Sequence, residues 1–301
     1  MKLETHAWPG SYGERAKPRM GFFTDTSVCI GCKACEVACK EWNQLPSRFG
    51  SHPPEFTGKS YDNTIDLGAD AWRHVAFIEQ KVPARVTDGA SLLEAAARGE
   101  AVDGGVASYQ EGDGFRWLMA SDVCKHCTDA ACLDVCPTGA LFRTEFGTVV
   151  VQEDVCNGCG YCVSACPFGV IDQREEDGRV WKCTLCYDRL KDDMEPACAH
   201  ACPTNSIQFG ELGDLRERAE HRLAHLQQSG QHQAQLYLAD EDDGIGGAGA
   251  FFLLLDEPEV YGLPPDPVDT TRDLGSIWAA AGAAAVALGA GLAAAVFGGE
   301  R

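Results

Sequence analysis

Residues 156–167 read CNGCGYCVSACP, a C-x2-C-x2-C-x3-C run formed by Cys156, Cys159, Cys162 and Cys166 and closed by Pro167. Three thiols at two-residue intervals let a tight loop wrap one metal cluster while its backbone N–H groups turn toward the sulfurs. The fourth thiol lies about one helical turn further on and points away from that loop. This spacing holds a [4Fe–4S] cluster, and in two-cluster domains the fourth cysteine serves the neighbouring cluster.

The same pattern recurs along the chain. Cys29, Cys32, Cys35 and Cys39 (CIGCKACEVAC) repeat the run without error. Cys124, Cys127, Cys132 and Cys136 (CKHCTDAACLDVCP) keep its opening and closing with a longer loop between, as do Cys183, Cys186, Cys198 and Cys202 (CTLCYDRLKDDMEPACAHACP). These four groups use all sixteen cysteines, and Pro137, Pro167 and Pro203 follow three of them; Lys40 breaks the pattern in the first. Such groups work in pairs, and two paired groups make a bacterial-ferredoxin-like unit. Zinc knuckles show two C-x2-C pairs across a long gap, which these dense groups do not. Disulfide frameworks belong to short secreted chains. The chain has 301 residues, and residues 1–10 show no basic segment leading into an apolar run, so no secretory signal is expected.

Short strands are expected at 140–143 and 148–152 around Glu145-Phe146-Gly147, and at 170–173 and 180–182 around Asp177-Gly178. Groups two and three are near neighbours and form one unit; groups one and four close around it. The fold expected is α+β: two ferredoxin-like dicluster units, an inserted small sheet and a C-terminal single transmembrane helix. The first unit comprises 1–43 with 181–211, and the second 122–180. The insert, 44–121, is too long for a loop and offers strands at 73–82 and 115–121, with a surface excursion over 83–114 and a short helix at 91–98. An extension, 212–275, carries an exposed amphipathic helix at 212–229 and strands at 235–239 and 250–256 around an acidic turn. Residues 276–298 hold the spanning segment. Its core, 277–297, is twenty-one residues without a charge, eleven of them Ala and three Gly, about 32 Å as a helix. Ala287, Gly291 and Ala295 give it a small face suited to partner helices, which favours a span over a buried helix of a soluble complex.

Charge excludes one class of partner. Forty-five acidic against twenty-five basic residues leave a formal −20, which repels nucleic acid. Each oxidised cluster with its thiolates adds about −2 more.

The chain resembles the beta (iron–sulfur) subunit of respiratory, membrane-bound formate dehydrogenases, within the four-cluster subunits of molybdopterin oxidoreductases. The resemblance is carried by VCIGCKACEVACKEWN (28–43), YDNTIDLGADAW (61–72), CNGCGYCVSACPFGV (156–170), VWKCTLCYDR (180–189) and EPACAHACPTNSIQFG (195–210). It continues through GGAGAFFLLLDEPEVYGLPPDP (246–267) to the apolar C-terminal segment. It implies four [4Fe–4S] clusters and crossed ligation, in the sets Cys29, Cys32, Cys35 and Cys202; Cys39, Cys183, Cys186 and Cys198; Cys124, Cys127, Cys132 and Cys166; and Cys136, Cys156, Cys159 and Cys162. It also implies a molybdenum- or tungsten-pterin catalytic alpha subunit, a haem b membrane gamma subunit, and export with a signal-bearing partner. The clusters would lie on the outer, periplasmic face, anchored in the bilayer by the terminal helix; a soluble cytoplasmic complex is the alternative.

The expected function is a wire without a catalytic site, carrying electrons from formate oxidation toward haem and quinone. The alternative is the equivalent subunit of a polysulfide, sulfoxide or nitrate-type reductase. Radical or hydratase chemistry needs an open iron site, whereas each group here is complete. His126 is read as a neighbour or surface residue rather than a ligand, Lys125 and Lys182 as solvated, and Phe168, Trp181 and Tyr187 as packing.

Overall fold

The computed structural model describes residues 12–47, 57–58, 61–81 and 115–297. The excursion over 83–114 and the helix expected at 91–98 lie outside them.

A six-residue run, β1 (Met20–Asp25, MGFFTD), is buried along nearly its whole length. Such a run, apolar on both faces, reads as a central strand. The helix α1 (Ala34–Trp42) follows it and carries Cys35 and Cys39. Two long strands, β2 (Arg73–Lys81) and β3 (Phe115–Val123), then pair antiparallel from Arg73↔Val123 to Lys81↔Phe115. This is the inserted small sheet. Next come α2 (Ala131–Asp134), β4 (Leu141–Arg143) and β5 (Val149–Val151), then α3 (Tyr161–Ala165), β6 (Asp172–Gln173) and β7 (Val180–Trp181). The pairs β4–β5 and β6–β7 are the two expected hairpins. The short helices α4 (Tyr187–Lys191) and α5 (Ala197–His200) lead to β8 (Ile207–Glu211) and α6 (Leu212–Gln228). Finally come β9 (Gln235–Tyr237), β10 (Ala250–Leu254) and α7 (Leu274–Phe297).

No strand was expected at β1 or β8, and the structure joins both to the extension in one four-stranded sheet of order β8-β1-β10-β9. β1 runs parallel to β10, with Phe22 opposite Ala250, and antiparallel to β8, with Phe22 opposite Phe209. Successive side chains of a strand face opposite ways. Phe22 therefore faces the core built around the cysteines, while Phe23 faces a second core with Phe251 and α6. Phe23 and Phe251 stack at 5.3 Å. The sheet's approach to its neighbour is tight enough to require Gly21, since a Cβ there would lie 2.3 Å from the Gly249 carbonyl oxygen. α6 was expected to be exposed; one face, through Leu212, Leu215, Ala219 and Leu226, is buried against the sheet. The last helix, α7, has no buried residue, so none of its apolar surface is consumed by the rest of the protein.

Candidate metal centres

All sixteen cysteines are free thiols. Two residues after its opening cysteine each loop turns through a left-handed residue: Gly31, His126, Gly158 and Leu185; Lys33, Gly160 and Cys186 are left-handed as well. A left-handed residue among right-handed ones turns successive backbone N–H groups into one concave nest, which suits an anion. Leu185 N–H donates to Cys183 Sγ at 3.3 Å in such a turn.

The thiols act on one another across groups as well as within them. Burial, then repulsion from Cys183, Cys198 and Cys186, pushes the Cys39 thiol well above its ordinary value. Burial, then Cys124, Cys132 and Cys166, does the same to Cys127. Cys162 is pushed up to about 11 by burial and by Cys136, Cys156 and Cys159. Cys29 is raised by burial and by Cys202 and Cys32. In each of these cases at least one of the thiols acting on the cysteine belongs to another group. Cys124, Cys127, Cys132 and Cys166 line one cavity together, with Ala130, Val149 and Ile171 as its apolar walls. Other charge effects also cross the groups: Cys35 is repelled by Cys198, Cys183 by Cys124, and Cys132 by Cys162. Cys32 and Cys159 are the exposed cysteines.

This donor set fits iron–sulfur clusters. Thiols raised by burial resist ionising alone, and iron that shares the thiolate charge removes that resistance. Hydroxyls stand beside two closing cysteines: Thr138 at 3.6 Å from Cys136 Sγ and Thr204 at 3.8 Å from Cys202 Sγ.

Several polar residues here were misjudged from sequence or missed. Lys125 and Lys182 are not solvated; each is 1% exposed. Their ammonium groups find partners inside. Lys125 pairs with the Asp122 carboxylate, donates to Val123 O at 2.9 Å and lies over the rings of Phe168 and Phe252. Lys182 donates to the carbonyls of Val149 and Cys183. His126 is buried too, and its Nδ1 accepts from Val149 N–H at 3.1 Å, so it is a neighbour of the thiols and not a surface residue. Trp181 packs against Trp72, and Tyr187 against Phe146. Arg73 and Ser121, from the insert, reach the thiols as well: Arg73 Nη2 lies 3.3 Å from Cys198 Sγ, and Ser121 Oγ 3.3 Å from Cys35 Sγ. Nothing in the sequence around either residue distinguishes it from an ordinary strand position; only the hairpin's register brings it to a cysteine.

Two family models, each described as a 4Fe-4S dicluster domain, match residues 28–140 and 115–212. Two dicluster domains amount to four [4Fe–4S] clusters. The formate dehydrogenase iron-sulfur subunit of Haemophilus influenzae is 38% identical over 86% of this chain and 73% of its own length. The nitrate-inducible formate dehydrogenase iron-sulfur subunit of Escherichia coli is 38% identical over 94% of this chain and 86% of its own. The B subunit of the anaerobic dimethyl sulfoxide reductase of Escherichia coli is 34% identical, over 66% of this chain and 76% of its own.

Proposed function

The protein belongs to the family of formate dehydrogenase iron–sulfur subunits, and on that footing we propose how its residues serve an electron-transfer subunit without a catalytic site of its own. Its relatives are named as subunits, so it works beside a catalytic partner. We take that partner to be a molybdenum- or tungsten-pterin subunit that oxidises formate, and the acceptor to be a haem b membrane subunit.

The ligand sets are those the resemblance implies. Cys29, Cys32, Cys35 and Cys202 hold the first cluster, and Cys39, Cys183, Cys186 and Cys198 the second. Cys124, Cys127, Cys132 and Cys166 hold the third, and Cys136, Cys156, Cys159 and Cys162 the fourth. Residues 1–43 and 181–211 then make one unit and 122–180 the other. When bound, each cluster supplies one-electron transfer. The cavity that Cys166 shares with Cys124, Cys127 and Cys132 is the observation that carries this reading, because it brings the closing thiol of group three to the first three thiols of group two.

The direction follows from the anchor. Just before α7, Thr270 Oγ1 donates to Ala165 O at 2.9 Å and Thr271 Oγ1 to Asp134 Oδ2 at 2.6 Å. The membrane helix is thus tied to the unit of groups two and three. The fourth collection lies toward the bilayer, and the first, with exposed Cys32, toward the catalytic partner. The clusters stand on the outer face of the membrane, with α7 as a single-pass anchor packed on helices of the haem subunit. The equivalent role in a sulfoxide-type reductase is the second reading; the shorter match to that relative places it behind.

Iron analysis and EPR of the purified complex test the wire. About sixteen irons per chain and four magnetically interacting [4Fe–4S] signals are expected. Markedly fewer irons would refute it.

A further inference from the structure

A buried guanidinium keeps its charge and needs a partner that answers it. Arg73, at the start of β2, is 2% exposed. Its Nη1 donates to Ser121 O at 3.1 Å and to Ser121 Oγ at 3.4 Å; its Nη2 donates to Cys198 Sγ at 3.3 Å. The Phe22 ring covers the guanidinium, whose carbon lies 4.8 Å from the ring centroid. Lys125, equally buried, is matched by the carboxylate of Asp122. Arg73 is matched by sulfur.

Ser121 is equally buried, at 1% exposure. A hydroxyl has one proton to give and lone pairs to receive. Arg73 is a donor only, so the Ser121 oxygen accepts from it, and the Ser121 proton is left for Cys35 Sγ at 3.3 Å. Strand register makes this possible. Ser121 stands opposite Val75, and Arg73 opposite Val123, so Arg73 and Ser121 are diagonal neighbours on one face of the hairpin. That face meets Cys35 of the first collection and Cys198 of the second.

We propose that Arg73 and Ser121 form a single hydrogen-bonded clamp that raises the reduction potentials of two adjacent clusters. The guanidinium acts on the cluster of Cys39, Cys183, Cys186 and Cys198. The hydroxyl acts on the cluster of Cys29, Cys32, Cys35 and Cys202. The proposal rests on the ligand sets given above. Reduction adds negative charge to a cluster, and donors and a fixed cation at its thiolates favour the more negative state. Low local polarity strengthens both effects. The insert is on this view a tuning element for the catalytic-side half of the wire, because the clamp joins the two clusters of that half and no others.

EPR-monitored redox titration of the purified complex tests this, with iron content measured on every sample. Cys32→Ser and Cys198→Ser identify the signals of the first and second clusters. Arg73→Gln is expected to lower the reduction equilibrium constant of the second cluster at least tenfold, about 59 mV for one electron, and that of the first by less. Ser121→Ala is expected to lower the first alone. Arg73→Lys, which keeps the charge, should recover most of the loss at the second. The third and fourth clusters should not move. Unshifted midpoints in Arg73→Gln with full iron content, or an equal shift of all four clusters, would overturn the clamp. If Arg73→Gln sheds iron, Ser121→Ala decides: one shifted signal upholds the proposal and none defeats it. Failure of the ligand sets is distinguishable, since Cys39→Ser and Cys198→Ser would then remove different signals.

Discussion

Val286 sits at the midpoint of α7, with twelve helical residues before it and eleven after, and it is exposed. Replacing it with arginine is expected to release the chain from the membrane. Twenty-four helical residues span about 36 Å, enough for a hydrocarbon core of about 30 Å. The helix's insertion energy comes from seven strong apolar residues: Leu274, Ile277, Val286, Leu288, Leu292, Val296 and Phe297. At about −0.3 to −0.6 kcal/mol each at the helix centre, they sum to roughly −3 kcal/mol, with Ala and Gly adding little. Arginine at the centre costs about 2.5–3.5 kcal/mol, so Val286→Arg swings the balance by roughly 3 to 4 kcal/mol. The swing matches or exceeds the whole favourable sum. Expressed alone, the full chain should sediment with membranes and resist alkaline carbonate; the variant should appear in the soluble fraction with its iron retained. Val286→Ala, which changes the sum by only about half a kcal/mol, should stay bound. If Val286→Arg remained as resistant to carbonate as the parent, α7 would not be the anchor.

Cys39→Ser should cost about four irons of about sixteen and abolish the same EPR signal as Cys198→Ser; loss of the Cys32→Ser signal instead would contradict crossed ligation. Gly158 has φ +73, and a Cβ there would lie 2.3 Å from the Gly178 carbonyl oxygen. Gly158→Ala should therefore make the fourth cluster labile to chelators. Gly169→Ala, with φ +62 but open space around it, should cost only the left-handed penalty of about 1–2 kcal/mol; equal iron loss from both variants would show that the clash is relieved. Lys182→Gln removes a buried cation whose ammonium bonds the Val149 and Cys183 carbonyls and which lines the cavity of Cys124, Cys127, Cys132 and Cys166; it should lower the midpoint of the third cluster. An unmoved redox titration would count against that electrostatic role.

Cluster loops and hairpins were legible in the sequence because they are local. C-x2-C-x2-C-x3-C declares its own geometry, and turns such as Glu145-Phe146-Gly147 declare their hairpins within a few residues. The central strand was not legible. β1 is six residues long, buried on both faces and without alternation, and its parallel partner lies more than two hundred residues away. Lys125 and Lys182 were misjudged for a related reason. Lysine belongs in water unless partners are supplied, and the partners here are Asp122, aromatic rings and carbonyls gathered by folding. Arg73 and Ser121 lie in a stretch whose strands could be read but whose chemistry could not, because it arises from register and from cysteines far along the chain.

The parallel pairing of β1 with β10 also imposes a timetable on synthesis. Phe22 meets Ala250 only once more than two hundred further residues have left the ribosome. On the proposed ligand sets, Cys29, Cys32 and Cys35 wait for Cys202, and Cys39 waits for Cys183, Cys186 and Cys198. The first four cysteines would stay incomplete while the 163 residues from Cys39 to Cys202 are made (202 − 39), roughly 8–33 s at about 5–20 residues per second. The unit of groups two and three has all its ligands within residues 124–166 and is ready far earlier. Iron loading should therefore begin in the middle of the chain and end at its first cysteines, leaving the N-terminal thiols longest exposed to oxidation during biogenesis.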